Sequence, residues 1–156
     1  MRIKIIAVGT KMPSWVATGF TEYVKRMPPE LPVQLIEIPM AKRGKNPDIE
    51  RAIKAEGNKV LEQIKANDFV IALEVGGAHL STEKLAQKLA SWQQDGRDIC
   101  ILIGGPDGNA EACLKRADYK LSLSELTLPH PLVRIVLAEQ FYRAWSILAN
   151  HPYHRA

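Results

Sequence analysis

At 156 residues the chain is the length of one compact domain, expected to bury roughly 68–70% of its unfolded surface without staples. With 46% apolar and 24% charged residues it is excluded from the disordered, collagen-like and disulfide-framework classes. The net charge of +4 is uneven: residues 1–65 hold 12 basic and 7 acidic side chains, residues 66–156 hold 9 and 10, so a +5 part precedes a −1 part. Such a basic lobe suits a polyanion such as nucleic acid, although solubility alone also accounts for a modest surplus.

Short β-like runs alternate with helical segments, the pattern of an α/β domain with a mostly parallel sheet. Ile3–Val8 reads as a strand ending at Gly9, and no secretory signal pattern accompanies it, which leads us to expect a cytoplasmic protein. Val16, Phe20, Tyr23, Val24 and Met27 recur at helical spacing until Pro28-Pro29. Val33–Ile38 is the second strand. Asn46 as N-cap, Pro47 at the first position and Asp48 in the first turn predict the next helix, with Ile49, Ile53, Val60, Leu61 and Ile64 as its apolar face. Residues 69–75 read as the third strand, closed by a turn at Gly76-Gly77, and a helix opens near Ser81. Ile99–Ile103 is continuously apolar, as expected of a strand covered on both faces. A short helix over 110–117, a brief strand over 119–121 and a long helix over 131–149 complete the chain.

On that last helix Glu139, Arg143 and Ser146 form a narrow polar sector, and nearly everything else is apolar. Burial on more than one side follows, either deep within one subunit or against a second copy; we expect a homodimer. The two cysteines, Cys100 in an apolar strand and Cys113 on a helix, have neither CxxC spacing nor a histidine pair, so no metal is expected.

Several segments carry chemistry. Ile103-Gly104-Gly105-Pro106-Asp107-Gly108 follows a buried strand, where ligands of open α/β sheets bind; it fits neither a Walker loop nor Gly-x-Gly-x-x-Gly, and a plain tight turn is the alternative. Lys42-Arg43-Gly44-Lys45, with Arg51 and Lys54 downstream, resembles a phosphate-contacting loop as much as a solvated one. Leu123-Ser124-Glu125-Leu126-Thr127-Leu128 is unusually apolar for a surface connection, as if a ligand completed it. The ending Asn150-His151-Pro152-Tyr153-His154-Arg155 is either a frayed tail or a device for stacking, proton handling and phosphate pairing.

These segments, with Ala7-Val8-Gly9-Thr10-Lys11 and Leu126-Thr127-Leu128-Pro129-His130, resemble in order and over essentially the whole chain the family of ribosomal RNA large-subunit methyltransferase H. Its members are small SPOUT-class enzymes that methylate N3 of a pseudouridine in 23S ribosomal RNA. The resemblance implies a SPOUT-type α/β fold with helices on both faces of the sheet and a C-terminal trefoil knot, in one domain spanning 1–156. It implies S-adenosylmethionine as cofactor, held mostly by backbone groups at Leu73, Gly104, Gly105, Leu123, Ser124, Glu125, Leu126, Thr127 and Leu128. It further implies a homodimer acting on the assembled 70S ribosome. Under that reading His154 is the candidate for proton handling, Arg155 for phosphate or oxyanion binding and Tyr153 for stacking. Glu139 and Arg143 would hold the tail or the nucleotide, and Lys42, Arg43 and Lys45 would contact RNA. A SPOUT enzyme for transfer RNA and a non-catalytic RNA-binding module are the competing readings.

Overall fold

The computed structural model describes residues 1–44 and 48–155. Ten elements follow in order: β1 (Ile3–Val8), α1 (Ser14–Val24), β2 (Val33–Ile38), α2 (Ile49–Glu62), β3 (Phe69–His79), α3 (Thr82–Asp95), β4 (Ile99–Ile103), α4 (Glu111–Arg116), β5 (Tyr119–Ser122) and α5 (His130–Leu148). The strands form one all-parallel sheet in the order β2-β1-β4-β3-β5.

Strand alternation sorts side chains to two faces. Ile3, Ile5, Ala7, Ile71, Ile99, Ile101 and Ile103 point into a core shared with Phe20 of α1, Leu85 and Leu89 of α3, and Leu137 and Phe141 of α5. Ile6, Val8, Val70, Cys100 and Leu102 face the other way, toward Val60 of α2 and Cys113 of α4. With helices on both faces, β4 is buried at every position, which is why its sequence does not alternate. No helix among the described residues is long and apolar enough to cross a membrane.

Three expectations need correction. The α2 cap is Asp48, whose carboxylate accepts from the Arg51 amide at 3.0 Å; Asn46 and Pro47 lie outside the described residues. Gly76-Gly77 does not end β3. The strand bulges over residues 74–77 and resumes, so that both Leu73 and Ala78 pair with Leu121. A Cβ on Gly77 would stand 2.7 Å from the Leu121 carbonyl carbon, so the glycine is there for close backbone approach, not for a turn. Ser146, placed on a polar sector by helical spacing, is fully buried and donates to the Arg143 carbonyl at 2.6 Å.

The long helix α5 packs between α1 and α3, with Ile135 lying against Gly19 of α1. Much of its apolar surface is thus covered within one subunit, while Leu132 and Leu148 stay exposed. Asn150, at φ +54°, stops the helix: its amide donates to the Ile147 carbonyl at 3.2 Å and the His151 amide to Ser146 at 2.8 Å. This left-handed cap turns the terminal segment back along α5.

Candidate cofactor pocket and C-terminal cluster

The carboxyl ends of β1, β4, β3 and β5 open into one cavity of about 830 Å³. Leu73, Gly104, Gly105, Leu123, Ser124, Glu125, Leu126, Thr127 and Leu128 all line it. So do Thr10, Lys11, Asn109 and His130, to which the sequence reading gave no role. Two signals for them were present: Gly9-Thr10-Lys11 follows a buried strand, and Asn109 follows the glycine turn at the same edge of the sheet.

The turn is tight. The Gly108 amide bonds the Gly105 carbonyl at 3.0 Å, and Gly108 adopts φ +87°. A Cβ on Gly104 would stand 2.5 Å from the Gly108 carbonyl carbon and 2.6 Å from the Asn109 nitrogen. Asn109 Nδ2 then donates to the Leu73 carbonyl at 3.0 Å, tying the turn to the end of β3. The cavity's size falls in the range of small-molecule sites, and its walls mix aliphatic side chains with glycine backbone. Among the described residues no cluster has the makings of a metal site.

Arg43 is placed beside this turn and not in solvent. Its Nη1 donates to Glu56 Oε2 at 2.7 Å and its Nε to Asp107 Oδ2 at 2.9 Å, while the Ala41 amide also donates to Glu56 at 2.9 Å. Glu56 is buried, with its Oε1 3.5 Å from where a Gly105 Cβ would be. Arg43 therefore braces the basic loop against α2 and the glycine turn, whereas Lys42 is exposed and Lys45 lies outside the described residues. Arg43→Met should lower stability by about 2 kcal/mol, because it strands a buried carboxylate. Lys42→Met should leave stability unchanged and reduce the salt slope of RNA binding by about one. Thermal melts and binding at several salt concentrations check both.

A second cluster forms where the terminal segment meets α5. Glu139 Oε1 accepts from Arg143 Nε at 2.8 Å and from the Tyr153 hydroxyl at 3.0 Å. The Arg143 guanidinium lies 4.8 Å from the centre of the Tyr153 ring, which packs 4.6 Å from that of Tyr142. Burial, reinforced by the bond to Glu139, pushes the Tyr153 phenol up to about 12, so it stays a neutral donor. His154 sits between two partners: Nδ1 faces Arg143 Nη1 at 3.4 Å and Nε2 faces Glu83 Oε1 at 3.3 Å. Arg155 is exposed next to them. The structure thus brings Glu139, Arg143, Tyr153 and His154 together and adds Glu83, which sequence reasoning missed because α3 reaches it only through tertiary packing. None of these residues lines the cavity.

A five-stranded parallel sheet with helices on both faces, a cavity at its carboxyl edge and a long C-terminal helix packed between α1 and α3 define an α/β class to which known proteins can be compared. A family model whose description reads "Predicted SPOUT methyltransferase" matches residues 1–154, and the chain belongs to the SPOUT methyltransferase family. Within it, the protein named ribosomal RNA large subunit methyltransferase H of Hahella chejuensis is 56% identical over 155 residues, covering 99% of both chains. Its namesake in Saccharophagus degradans is 57% identical over 155 residues, covering 99% of this chain and 100% of that one. The solved structure of a probable methylase family protein from Haemophilus influenzae Rd KW20 matches with TM-score 0.59 at 12% identity, over 99% of this chain and 70% of that one, a likeness of fold alone.

Proposed function

We propose that the chain is a methyltransferase that uses S-adenosylmethionine to methylate N3 of a pseudouridine in 23S ribosomal RNA on the assembled 70S ribosome. It works in the cytoplasm as a homodimer of single-domain subunits, with the C-terminal trefoil knot that family membership implies. One observation carries the reading: residues from three separate segments, assigned to a cofactor by resemblance, converge on a single cavity at the sheet's carboxyl edge. The near-full-length relatives named for large-subunit ribosomal RNA supply the substrate class.

When bound, the cofactor supplies an electrophilic methyl group on a sulfonium. The chain's own residues do the rest. Gly104, Gly105 and the 123–128 loop would hold the cofactor with backbone and apolar surface; orientation of this kind is worth several kcal/mol of barrier. N3 of a neutral pseudouridine carries a proton that must leave. Because a guanidinium cannot accept, His154 Nδ1 facing Arg143 holds a lone pair, while Nε2–H points at the Glu83 carboxylate. Exchange of the long Arg143 contact for the base lets Nδ1 take the N3 proton, and Glu83 stabilises the imidazolium. Arg143 and Arg155 then face the developing oxyanion or a phosphate.

The C-terminal cluster lies outside its own subunit's cavity, which supports a site assembled from the pocket of one subunit and the tail of its partner. Subunits carrying Gly104→Val should be inactive alone, as should subunits carrying His154→Ala with Arg155→Ala. Re-associated in equal amounts, they should recover about a quarter of wild-type single-turnover activity on ribosomes, since half the dimers then contain one intact site of two. Full activity of the tail variant, or no recovery on mixing, contradicts the arrangement.

A further inference from the structure

Arg134 is the largest fully buried side chain among the described residues, and two of its partners, Gly9 and His130, line the cavity. Its side chain is 2% exposed, and its three nitrogens each donate to a different residue. Nη1 donates to Glu37 Oε2 of β2 at 2.7 Å, Nη2 to the Gly9 carbonyl just past β1 at 2.9 Å, and Nε to His130 Nε2 in the first turn of α5 at 2.9 Å. A guanidinium offers no acceptor, so the His130 Nε2 that faces it must present a lone pair. The remaining proton of a neutral imidazole is then on Nδ1, with the Gly104 backbone beside the ring. His130 itself lines the cavity.

We infer that Arg134 and His130 are positioning residues of the cofactor pocket: Arg134 locks the imidazole in its uncharged Nδ1–H form, which anchors Gly104 and adds no positive charge beyond that of Lys11 to a cavity that receives a sulfonium. The inference rests on the methyltransferase reading and extends it to the electrostatics of the pocket. An imidazolium here would set an Nε2–H donor against the Arg134 Nε–H donor, and two cations side by side in a region with little water. Burial and Arg134 both hold the His130 pKa below its ordinary value, outweighing the Gly104 backbone and Glu37. The other titratable groups facing the cavity are Lys11 from the β1–α1 loop, Glu74 from β3 and Glu125 from the loop before α5.

The test compares S-adenosylmethionine with S-adenosylhomocysteine, which shares its adenosine and amino-acid parts but lacks the sulfonium charge. Calorimetry from about pH 8 to pH 5.5 gives the ratio of their affinities across the ordinary histidine range. In the wild type that ratio should stay constant. In Arg134→Gln it should shift against the charged ligand by about fivefold as pH falls, because His130 is free to protonate. His130→Asn should weaken both ligands alike at every pH, and adding it to Arg134→Gln should flatten the ratio again, since Lys11, Glu74 and Glu125 remain. A merely structural Arg134 would cost both ligands equally and leave the ratio flat in Arg134→Gln, which overturns the inference. Should Arg134→Gln not fold, the 15N spectrum of histidine-labelled wild type, assigned with His130→Asn, decides: a persistent Nδ1–H tautomer supports the lock, and an Nε2–H tautomer or an imidazolium refutes it. Wild-type protein that binds neither ligand defeats the methyltransferase reading instead, and the tautomer spectrum still decides the lock.

Discussion

Gly104→Ala is expected to reduce S-adenosylmethionine affinity by at least about 100-fold, or some 2.7 kcal/mol. The added Cβ would meet the Gly108 and Asn109 backbone at 2.5 and 2.6 Å, with the Gly108 carbonyl oxygen at 2.9 Å. No side-chain rotation relieves a clash with backbone, so the turn itself must open. Opening it pulls Asn109 off the Leu73 carbonyl and loosens the end of β3, another wall of the cavity. The damage is confined to one edge of the sheet, so the protein should still melt cooperatively. Gly44→Ala is the matching control: none of the described residues stands within 4 Å of its Cβ position, and cofactor affinity should not change. Isothermal calorimetry with the two variants checks the pair, and undiminished binding by Gly104→Ala removes the glycine turn from the site.

The largest effect on stability is expected at the opposite edge of the sheet. Lys4 of β1 and Asp68, just before β3, form a buried pair at 2.7 Å. Asp68 Oδ2 also accepts from the Lys65 amide at 2.8 Å and from the Cys100 thiol at 3.2 Å. Burial opposes ionisation of Asp68, but Lys4, the Lys65 amide and the thiol outweigh it and hold the carboxyl below its usual range. Lys4 is raised because the Asp68 bond overcomes burial. Burial, with Asp68 beside it, pushes the Cys100 thiol up to about 12, so the cysteine is a donor here and no nucleophile.

Asp68→Ala leaves a buried ammonium without its partner and should cost about 3–5 kcal/mol, lowering the melting temperature by roughly 10 °C. The sign of the pH dependence follows from the two shifts. The Asp68 contribution is present above its unfolded pKa of about 4 and is lost as pH falls through the depressed folded value. That of Lys4 is present below its unfolded pKa of about 10.4 and is lost as pH rises through the raised one. The stability gap between wild type and Asp68→Ala should therefore be widest between about pH 5 and pH 9 and narrow in acid. A gap that stays constant down to about pH 2 contradicts this account of the pair.

Much of the fold is legible in the sequence because periodicity and punctuation act locally. The apolar run Ile99–Ile103 can only be a doubly covered strand, and Ser81 caps α3 through its hydroxyl on the Lys84 amide. What escapes is fixed by distant parts of the chain. Gly76-Gly77 reads as a turn until Leu121, on β5, shows why no side chain fits at Gly77. Arg43 reads as a free cation of a basic loop, yet Glu56 and Asp107, the latter 64 positions away, hold it. Arg134 reads as one more helix residue, and only the sheet brings Gly9 and Glu37 to it. The segments proposed for the cofactor are legible because each is short and contiguous. Their common cavity, and its separation from the tail, exist only once the strands are ordered.

The most direct test of the account is methyl transfer from labelled S-adenosylmethionine to purified 70S ribosomes, 50S subunits and transfer RNA in parallel. Label should appear on 23S ribosomal RNA of 70S particles, at N3 of a pseudouridine, and not on transfer RNA. Label on transfer RNA, or cofactor binding with no transfer to any of the three, contradicts it.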